Sequence, residues 1–299
     1  MNFDQKIKQQ VVALCKFAGV NPRTFTSLIH YYGSLDRIVN SDAGTLMAIE
    51  NMSADLANRI SHSNEYMETA EEYLKTLSDR EIGLITRFDK EYPDQLLELN
   101  DPPPIFYSRG QLLDKDKKVI AISGTEEATN EGIELTINIV EKFVKENVQL
   151  VTSIRKGIDA AAQLGYSTNN GFSCAVLDNG FDNIIPEDSV SLAIDIIKNG
   201  CILSEYAPDA KFSDENYKES NRLIASIAQA VVITEIYNNS EKVLDLLRCC
   251  NEIGKLCFII IDPESGALTD EESLNKAVTL GAIPMVGLEK IDDIIVSLV

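Results

Sequence analysis

The chain lacks features that would point to several common classes of protein. It has no tryptophan and only two histidines, His30 and His62, which stand apart from its other polar clusters, so a histidine-based active site is not expected. No apolar run is long enough to cross a bilayer, and the opening stretch MNFDQKIKQQ has no apolar signal core. We therefore expect a cytoplasmic protein with no membrane partner.

Cofactor, metal and catalytic motifs are also missing. The six cysteines show no CxxC spacing and mostly sit inside apolar runs, which is typical of small core residues rather than metal ligands. No GxGxxG follows the first strand of the predicted sheet, and GxxxxGK(S/T) does not occur, so neither a dinucleotide cofactor nor a P-loop is indicated. No Ser-His-Asp or Cys-His constellation emerges. We expect no cofactor, no metal and no catalysis.

Positive charge is scarce. The chain has 27 Lys and Arg against 47 Asp and Glu, a net charge of −20. Residues 81–299 carry −18 of this. Such a surface repels polyphosphate over most of its area, and non-specific DNA binding depends on many Lys and Arg contacts to phosphate. Any nucleic acid must therefore lie in a local basic patch.

Residues 1–80 are predicted to be helical. Apolar residues recur at helical spacing over 7–17, 25–32 and 56–77. The segment 19–24 is similar to a helix-hairpin-helix turn, which binds DNA phosphate, but Asn21 replaces the usual second glycine. A plain connection between two helices is the alternative. On that interpretation Val20, Phe25 and Leu28 are core residues.

Residues 81–116 are predicted to connect this region to a second domain over 117–299. Three successive prolines, Pro102 to Pro104, exclude a helix and favour extended chain. In the second domain, short apolar strands alternate with helices. The predicted strands are 119–123, 149–153, 174–178, 202–206, 230–236, 256–261 and 284–286, and the helices are 131–146, 158–166, 189–199, 215–228, 240–253, 271–280 and 288–298. This predicts an α/β fold with a parallel sheet covered by helices on both faces.

The segment 151–163 is the most informative for function. A buried strand leads through Ser153, Arg155, Lys156 and Gly157 into a helix, so free backbone N–H groups, the helix dipole and two cations meet in one place. This combination favours an anion site. The alternative is an ordinary strand-to-helix turn in which the cations are solvated, Gly157 serves a tight turn and Asp159 is the helix N-cap.

Other candidates lie at the carboxyl ends of the strands, where ligands bind in such sheets. Gly124 and Thr125 follow the first strand. Glu205 and Glu235 end strands that we take to be adjacent, so they are either a paired site for a ligand hydroxyl or base, or solvated strand ends.

Six stretches resemble motifs of the bacterial DprA/Smf family of DNA-processing proteins. They are DPPPIFYSRG (101–110), IAISGTEEATNEG (120–132), TSIRKGIDAAAQ (152–163), AVLDNGFDNIIP (175–186), the strand 200–206 and SNRLIA (220–225). The resemblance implies a Rossmann-like domain, preceded by a small all-helical N-terminal domain of the SAM or helix-hairpin-helix type and without the family's optional C-terminal winged helix. It also implies single-stranded DNA binding, a homodimer and assistance to RecA loading during natural transformation.

The departures from the family fall on polar positions. Glu126 replaces the arginine of the GSR motif, Ser220 the first arginine of RNR and Gln163 a histidine; Ile185 replaces a tyrosine, and Glu187 and Asp188 stand where cations are common. The segment 239–241 lacks the glycine of a Ser-Gly-Ser turn. Framework positions match better, namely Gly124, Thr129, Gly132, Gly157, Ile158, Asp159, Gly180, Asp182, Pro186, Ser204, Glu205, Asn221, Arg222 and Glu235. The chain is interpreted as a divergent member.

The leading hypothesis is weak, salt-dependent binding of single-stranded DNA. The candidate binding residues are Gly124, Thr125, Thr129, Ser153, Arg155, Lys156, Gly157, Asp159, Glu205, Asn221, Arg222 and Glu235. Three to four local cations predict a log–log salt slope of roughly −2 to −3. Phe181, Tyr206 and Tyr217 are either stacking platforms for bases or packed core residues.

Two alternatives remain: a module that binds or senses a nucleotide-like ligand, and an interaction scaffold that has lost DNA binding. Asn221 and Arg222 are either ligand contacts or residues that hold the crevice together by hydrogen bonds to backbone. The segments 244–247 and 294–296 are either a dimer patch or the inner faces of amphipathic helices.

Overall fold

The computed structural model of the chain describes residues 3–184 and 189–298. Its contacts divide the chain into two units, Met1–Ser108 and Arg109–Val299. Most of the segment predicted as a connector, 81–116, therefore lies in the first unit, and the three-part domain scheme stays a prediction. Ile185, Pro186, Glu187 and Asp188, which entered the family comparison, lie outside the described residues.

The first unit is helical up to Asp79. Its helices are α1 (Phe3–Val12), which runs into a π-helical turn (Ala13–Phe17), α2 (Pro22–Tyr32), α3 (Leu35–Val39), α4 (Ala43–Leu46), α5 (Ala54–Ser61), a 3-10 helix (Ser63–Tyr66) and α6 (Met67–Asp79). Strands β1 (Gly83–Thr86) and β2 (Ile105–Gly110) follow and pair antiparallel, and a 3-10 helix (Asp94–Glu98) lies between them. The prolines precede β2, as expected for extended chain.

The turn before α2 is a helix–helix connection. Asn21 caps α2, because its side-chain oxygen accepts a hydrogen bond from the Thr24 N–H at 2.8 Å. Val20, Phe25 and Leu28 are all buried. The prediction that these three are core residues is therefore confirmed.

The second unit alternates strands and helices as predicted. The strands are β3 (Val119–Ser123), β4 (Gln149–Thr152), β5 (Ser173–Leu177), β6 (Gly200–Ser204), β7 (Ala230–Ile233), β8 (Leu256–Ile261) and β9 (Ile283–Val286). The helices are α7 (Asn130–Lys145), α8 (Ile158–Thr168), α9 (Ser189–Ile196), α10 (Asp214–Ile227), α11 (Glu241–Glu252), α12 (Glu271–Thr279) and α13 (Lys290–Ser297). None of the helices in the described ranges is both long and apolar enough to span a membrane.

The seven strands form a parallel arrangement in the order β6-β5-β4-β3-β7-β8-β9. Every residue of β3 to β7 is buried. Side chains of a strand alternate between the two faces of a sheet, so complete burial requires helices on both faces. The predicted fold class is confirmed.

The strand order corrects one expectation. Glu205 and Glu235 follow β6 and β7, and these strands are not neighbours, because β5, β4 and β3 lie between them. After β6 the chain crosses back through α10 to the far side of β3. The expectation that the two strands are adjacent is therefore wrong, and the alternative of a paired carboxylate site fails with it. The same crossover makes β3 the point where the strand order reverses, which is where ligands bind in open parallel sheets.

The two apolar segments predicted as a dimer patch are mostly buried within the chain. Leu244, Leu246, Leu247 and Ile294 are each at most 2% exposed, and Val296 is 80% exposed. These segments are thus the inner faces of α11 and α13, the alternative considered from the sequence. The homodimer itself stays a prediction.

Candidate functional site

Arg155 lies at the centre of a hydrogen-bonded network in the turn after β4. Its Nε donates to Asp178 Oδ2 at 3.0 Å and its Nη1 to Asn221 Oδ1 at 3.1 Å. Its Nη2 donates to Ser220 Oγ at 2.6 Å and to the Tyr217 carbonyl oxygen at 3.2 Å. The Arg155 side chain is only 11% exposed. Its guanidinium therefore joins the turn, the end of β5 and the face of α10, and Ser220 serves it as an acceptor.

The Tyr217 ring is enclosed by two cations. The Arg155 guanidinium lies 3.6 Å from the ring centroid, and Lys242 Nζ lies 4.6 Å from it. Burial raises the pKa of the Tyr217 phenol. The Tyr217 ring is therefore a packed residue, which is the second of the two alternatives considered from the sequence. Phe212, which the sequence analysis did not name, is 40% exposed and lies 6.5 Å from Tyr217, centroid to centroid.

The two other predicted stacking residues are partly buried. Phe181 packs against the cluster that contains Ile154 and Leu177. The Tyr206 hydroxyl donates to the Asn216 carbonyl oxygen at 3.4 Å, and burial raises its pKa. Phe212 is therefore the more open ring for stacking.

Arg222 and Glu205 form a second ion pair, next to Asn221 of this network. Arg222 Nη2 lies 3.0 Å from both carboxylate oxygens of Glu205, and its Nε lies 2.8 Å from Glu219 Oε2. The Arg222 and Glu205 side chains are 13% and 11% exposed. Glu205 is thus not a solvated strand end. Arg222 and Asn221 hold the crevice together through side chains, and their role in binding stays a prediction.

Glu235 fills the N-terminus of α7. Its carboxylate accepts hydrogen bonds from Thr125 Oγ1 at 2.8 Å, from the Thr129 N–H at 3.0 Å and from the Thr129 hydroxyl. Thr129 in turn caps α7 by accepting from the Gly132 N–H at 2.9 Å. Glu235 is fully buried. The positive end of the helix, which would attract a bound anion, therefore already faces a carboxylate of the protein.

Two glycines allow the turns of this site to approach each other. Gly157 has φ +83°, and a Cβ there would lie 2.2 Å from the Thr125 carbonyl oxygen. At Gly124 a Cβ would lie 2.6 Å from the Ile158 side chain and 2.8 Å from the Glu235 carbonyl oxygen. Both glycines therefore serve close backbone packing, and any contact of theirs with a ligand stays a prediction.

Asp159 is not the N-cap of α8, which corrects the sequence interpretation. The N-cap is Gly157, and the Asp159 carboxylate instead accepts from Ser123 Oγ at 2.7 Å and Ser153 Oγ at 2.5 Å. It therefore ties the end of β3 to the end of β4. Burial raises the pKa of Asp159, against the opposing effects of Arg155 and the two serines.

The raised pKa of Asp159 predicts a pH-dependent effect on stability. The folded chain keeps a proton that the unfolded chain releases, so this contribution is greatest in acid and declines as pH rises from about 3.8 through the raised value. The Asp159→Asn variant should lack that decline, and its stability relative to wild type should improve as the pH rises from about 4 through the raised pKa of Asp159. Urea unfolding at several pH values measures this. The exposed Asp116, as Asp116→Asn, is the control and should show no trend.

A cavity of about 240 Å³ opens at the carboxyl edge of β4 and β5. It is lined by Glu126, Arg155, Lys156, Asp178, Phe212, Tyr217 and Lys242. Lys156 is 60% exposed, and its Nζ lies 4.0 Å from Glu127. Lys242 was missed from the sequence because it comes from α11, far along the chain. In the described ranges, 3–184 and 189–298, no group of three His, Cys, Asp or Glu side chains is placed to hold a metal.

Comparison with known proteins bears on what this edge of the sheet does. A family model described as DNA recombination-mediator protein A matches residues 83–297. Protein Smf of Synechocystis is 28% identical over 228 residues, covering 75% of this chain and 57% of that protein. The DNA processing protein DprA of Bacillus subtilis is 25% identical over 199 residues, which cover 64% of this chain and 66% of that protein. The chain thus spans less than two thirds of the length of these relatives.

Solved structures share the fold. DNA processing protein A of Streptococcus pneumoniae aligns with a TM-score of 0.74 over 98% of this chain and 99% of that one, at 20% identity. DNA processing protein A of Helicobacter pylori, whose structure is described for its single-stranded DNA binding mode, aligns with a TM-score of 0.61. The alignment covers 73% of this chain and 97% of that one, at 21% identity. These two likenesses concern the fold, and the family model confirms the resemblance to the family. The chain belongs to the DNA recombination-mediator protein A family.

Proposed function

We propose that this protein is a non-enzymatic DNA-processing protein that binds single-stranded DNA weakly at the carboxyl edge of its parallel sheet. The observation that carries the proposal is the cavity with Lys156 at its rim and an open aromatic ring, Phe212, in its wall. An exposed cation and an exposed ring are the two elements with which proteins hold a single strand, through phosphate and through base stacking.

The number of available cations limits the affinity. Arg155 and Arg222, two of the candidate binding residues, are engaged with Asp178 and Glu205. Lys156 lines the cavity and is exposed, and Lys211 and Lys218, which lie after β6 and near the start of α10, are exposed as well. Two or three phosphate contacts give a log–log salt slope of roughly −1.5 to −2, which is shallower than the roughly −2 to −3 expected from the sequence.

Fluorescence anisotropy with a labelled thymidine oligonucleotide tests this proposal. Binding should weaken roughly tenfold between 50 and 200 mM salt, and Lys156→Glu should weaken it further. Lys198→Glu is the matched control, because the 66% exposed Lys198 precedes β6 and so lies at the opposite edge of the sheet. Equal losses in the two variants, or a salt slope steeper than roughly −3, would contradict the proposed site.

Three further parts of the proposal follow the family. We propose that the protein acts in the cytoplasm, forms a homodimer and assists RecA loading in DNA uptake or recombination. Light scattering at tens of micromolar tests the dimer, and RecA filament assembly on protected single strands tests the assistance. A chain that binds no oligonucleotide but is stabilised by a mononucleotide would instead favour the small-ligand alternative, for which the cavity has room for about one base.

A further inference from the structure

One wall of the cavity is closed by an ion pair between Glu126 and Lys242. Glu126 follows β3, and Lys242 lies in the first turn of α11, 116 residues away along the chain. The Lys242 ammonium donates to a Glu126 carboxylate oxygen and lies 4.6 Å from the Tyr217 ring centroid. The two side chains are 22% and 41% exposed, for Glu126 and Lys242 respectively. Lys242 is therefore held between a carboxylate and an aromatic face.

The charges that line the cavity cancel in pairs. Asp178 faces Arg155, and Glu126 faces Lys242. Lys156 is the third cation of the lining, and its carboxylate neighbour Glu127 is 85% exposed and thus strongly screened by water. A phosphate that enters the cavity thus meets one cation that is loosely paired and two that already face a carboxylate.

We propose that Glu126 is a specificity-determining residue that excludes phosphate from Lys242. This inference rests on the proposed function and narrows it. A carboxylate oxygen and a phosphate oxygen are both acceptors for the same ammonium, so the two compete for it. Glu126 is tethered next to Lys242 by the fold, whereas a phosphate must be taken from solution and loses translational freedom on binding. The Glu126 carboxylate therefore stays paired with Lys242 when a weakly bound strand is present.

Neutralising Glu126 should add one phosphate contact. For Glu126→Gln we expect affinity for the labelled thymidine oligonucleotide to rise by about eightfold at 50 mM salt and about threefold at 200 mM, with a slope steeper by about 0.7. The matched control is Glu127→Gln, which removes the same charge from the neighbouring residue outside the cavity lining. It should change the affinity by less than about twofold. In a Lys242→Gln background, Glu126→Gln should give no gain beyond that of the control.

A second probe separates this inference from the proposed function. Thermal unfolding with inorganic pyrophosphate should show a rise in Tm of about 3–6 °C for Glu126→Gln at ten times its dissociation constant. Wild type and Glu127→Gln should show no such rise. Comparison of Tm without ligand verifies that each variant is folded.

The outcomes distinguish the two ideas. The inference is supported if Glu126→Gln raises the affinity for the oligonucleotide more than Glu127→Gln does, and if this difference disappears in the Lys242→Gln background. A pyrophosphate response of Glu126→Gln alone, with no oligonucleotide bound by any variant, supports the inference while the proposed function fails. Oligonucleotide binding by wild type that Glu126→Gln and Glu127→Gln alter equally overturns the inference and leaves the proposed function standing. Absence of a response to both probes overturns both.

Discussion

Replacement of Glu235 with alanine is expected to lower the free energy of unfolding of the sheet unit by about 3–5 kcal/mol. The substitution leaves the Thr129 N–H and the hydroxyls of Thr125 and Thr129 without their buried acceptor. It also removes the negative charge that faces the N-terminus of α7. Urea unfolding followed by circular dichroism measures the loss in free energy of unfolding. Hydrogen exchange of peptides from β3 and β7 shows whether the loss lies around Glu235.

Two further variants serve as controls for Glu235→Ala. Glu235→Gln keeps the shape and one acceptor oxygen, so it should lose about half as much as the alanine variant. Glu127→Ala, at an 85% exposed position, should change stability by less than about 0.5 kcal/mol. If Glu235→Ala were no more destabilised than Glu127→Ala, the carboxylate would not be the structural acceptor described for α7.

Replacement of Arg155 with methionine should cost about 3–4 kcal/mol of stability. The change leaves Asp178, whose side chain is 9% exposed, without its cation, and it removes the donor to Asn221 and Ser220. Arg155→Lys should restore little, because an ammonium on a flexible stem cannot reproduce the planar fork that reaches acceptors in three directions. The free energy of unfolding from urea titration reports both variants.

The coupling between Arg155 and Asp178 provides the decisive comparison. In a double-mutant cycle, Asp178→Asn should recover about 2 kcal/mol of the loss caused by Arg155→Met, because the carboxylate is then no longer buried unpaired. Lys156→Met, at the neighbouring exposed cation, should stay within about 0.5 kcal/mol of wild type. Additive losses in the cycle would show that the two side chains act independently.

Most secondary structure could be predicted from the sequence, because strands buried on both faces have to be apolar throughout. The run 119–123 has the short length and apolar character of such a strand, and β3 covers the same residues. Which strands pair with each other could not be predicted in the same way. The residues 230–236 do not indicate that this strand pairs with β3 rather than with the preceding strand. The expectation that the strands before Glu205 and Glu235 are adjacent was wrong for that reason.

The direction of polar side chains was the less predictable part of the site. Arg155 was expected to face a ligand, yet its acceptors Asp178 and Asn221 lie 23 and 66 residues away along the chain, so no local pattern could reveal them. The alternative that Asp159 is a cap rested on its position at the start of a helix, whereas its partner Ser123 lies 36 residues upstream. Local periodicity describes elements, and these partners are brought together only by tertiary structure.

The central position of β3 has a consequence for biosynthesis. β3 pairs with β7 from Ile120 opposite Ala230 to Ser123 opposite Ile233, so the middle of the sheet joins segments about 110 residues apart. On the ribosome, β3 to β6 emerge first and expose one edge of β3 until β7 has been made. Non-local pairing of this kind is slow, and an unpaired strand edge is open to association with other chains. Nascent chains truncated before β7 should therefore be the ones that engage a chaperone and aggregate.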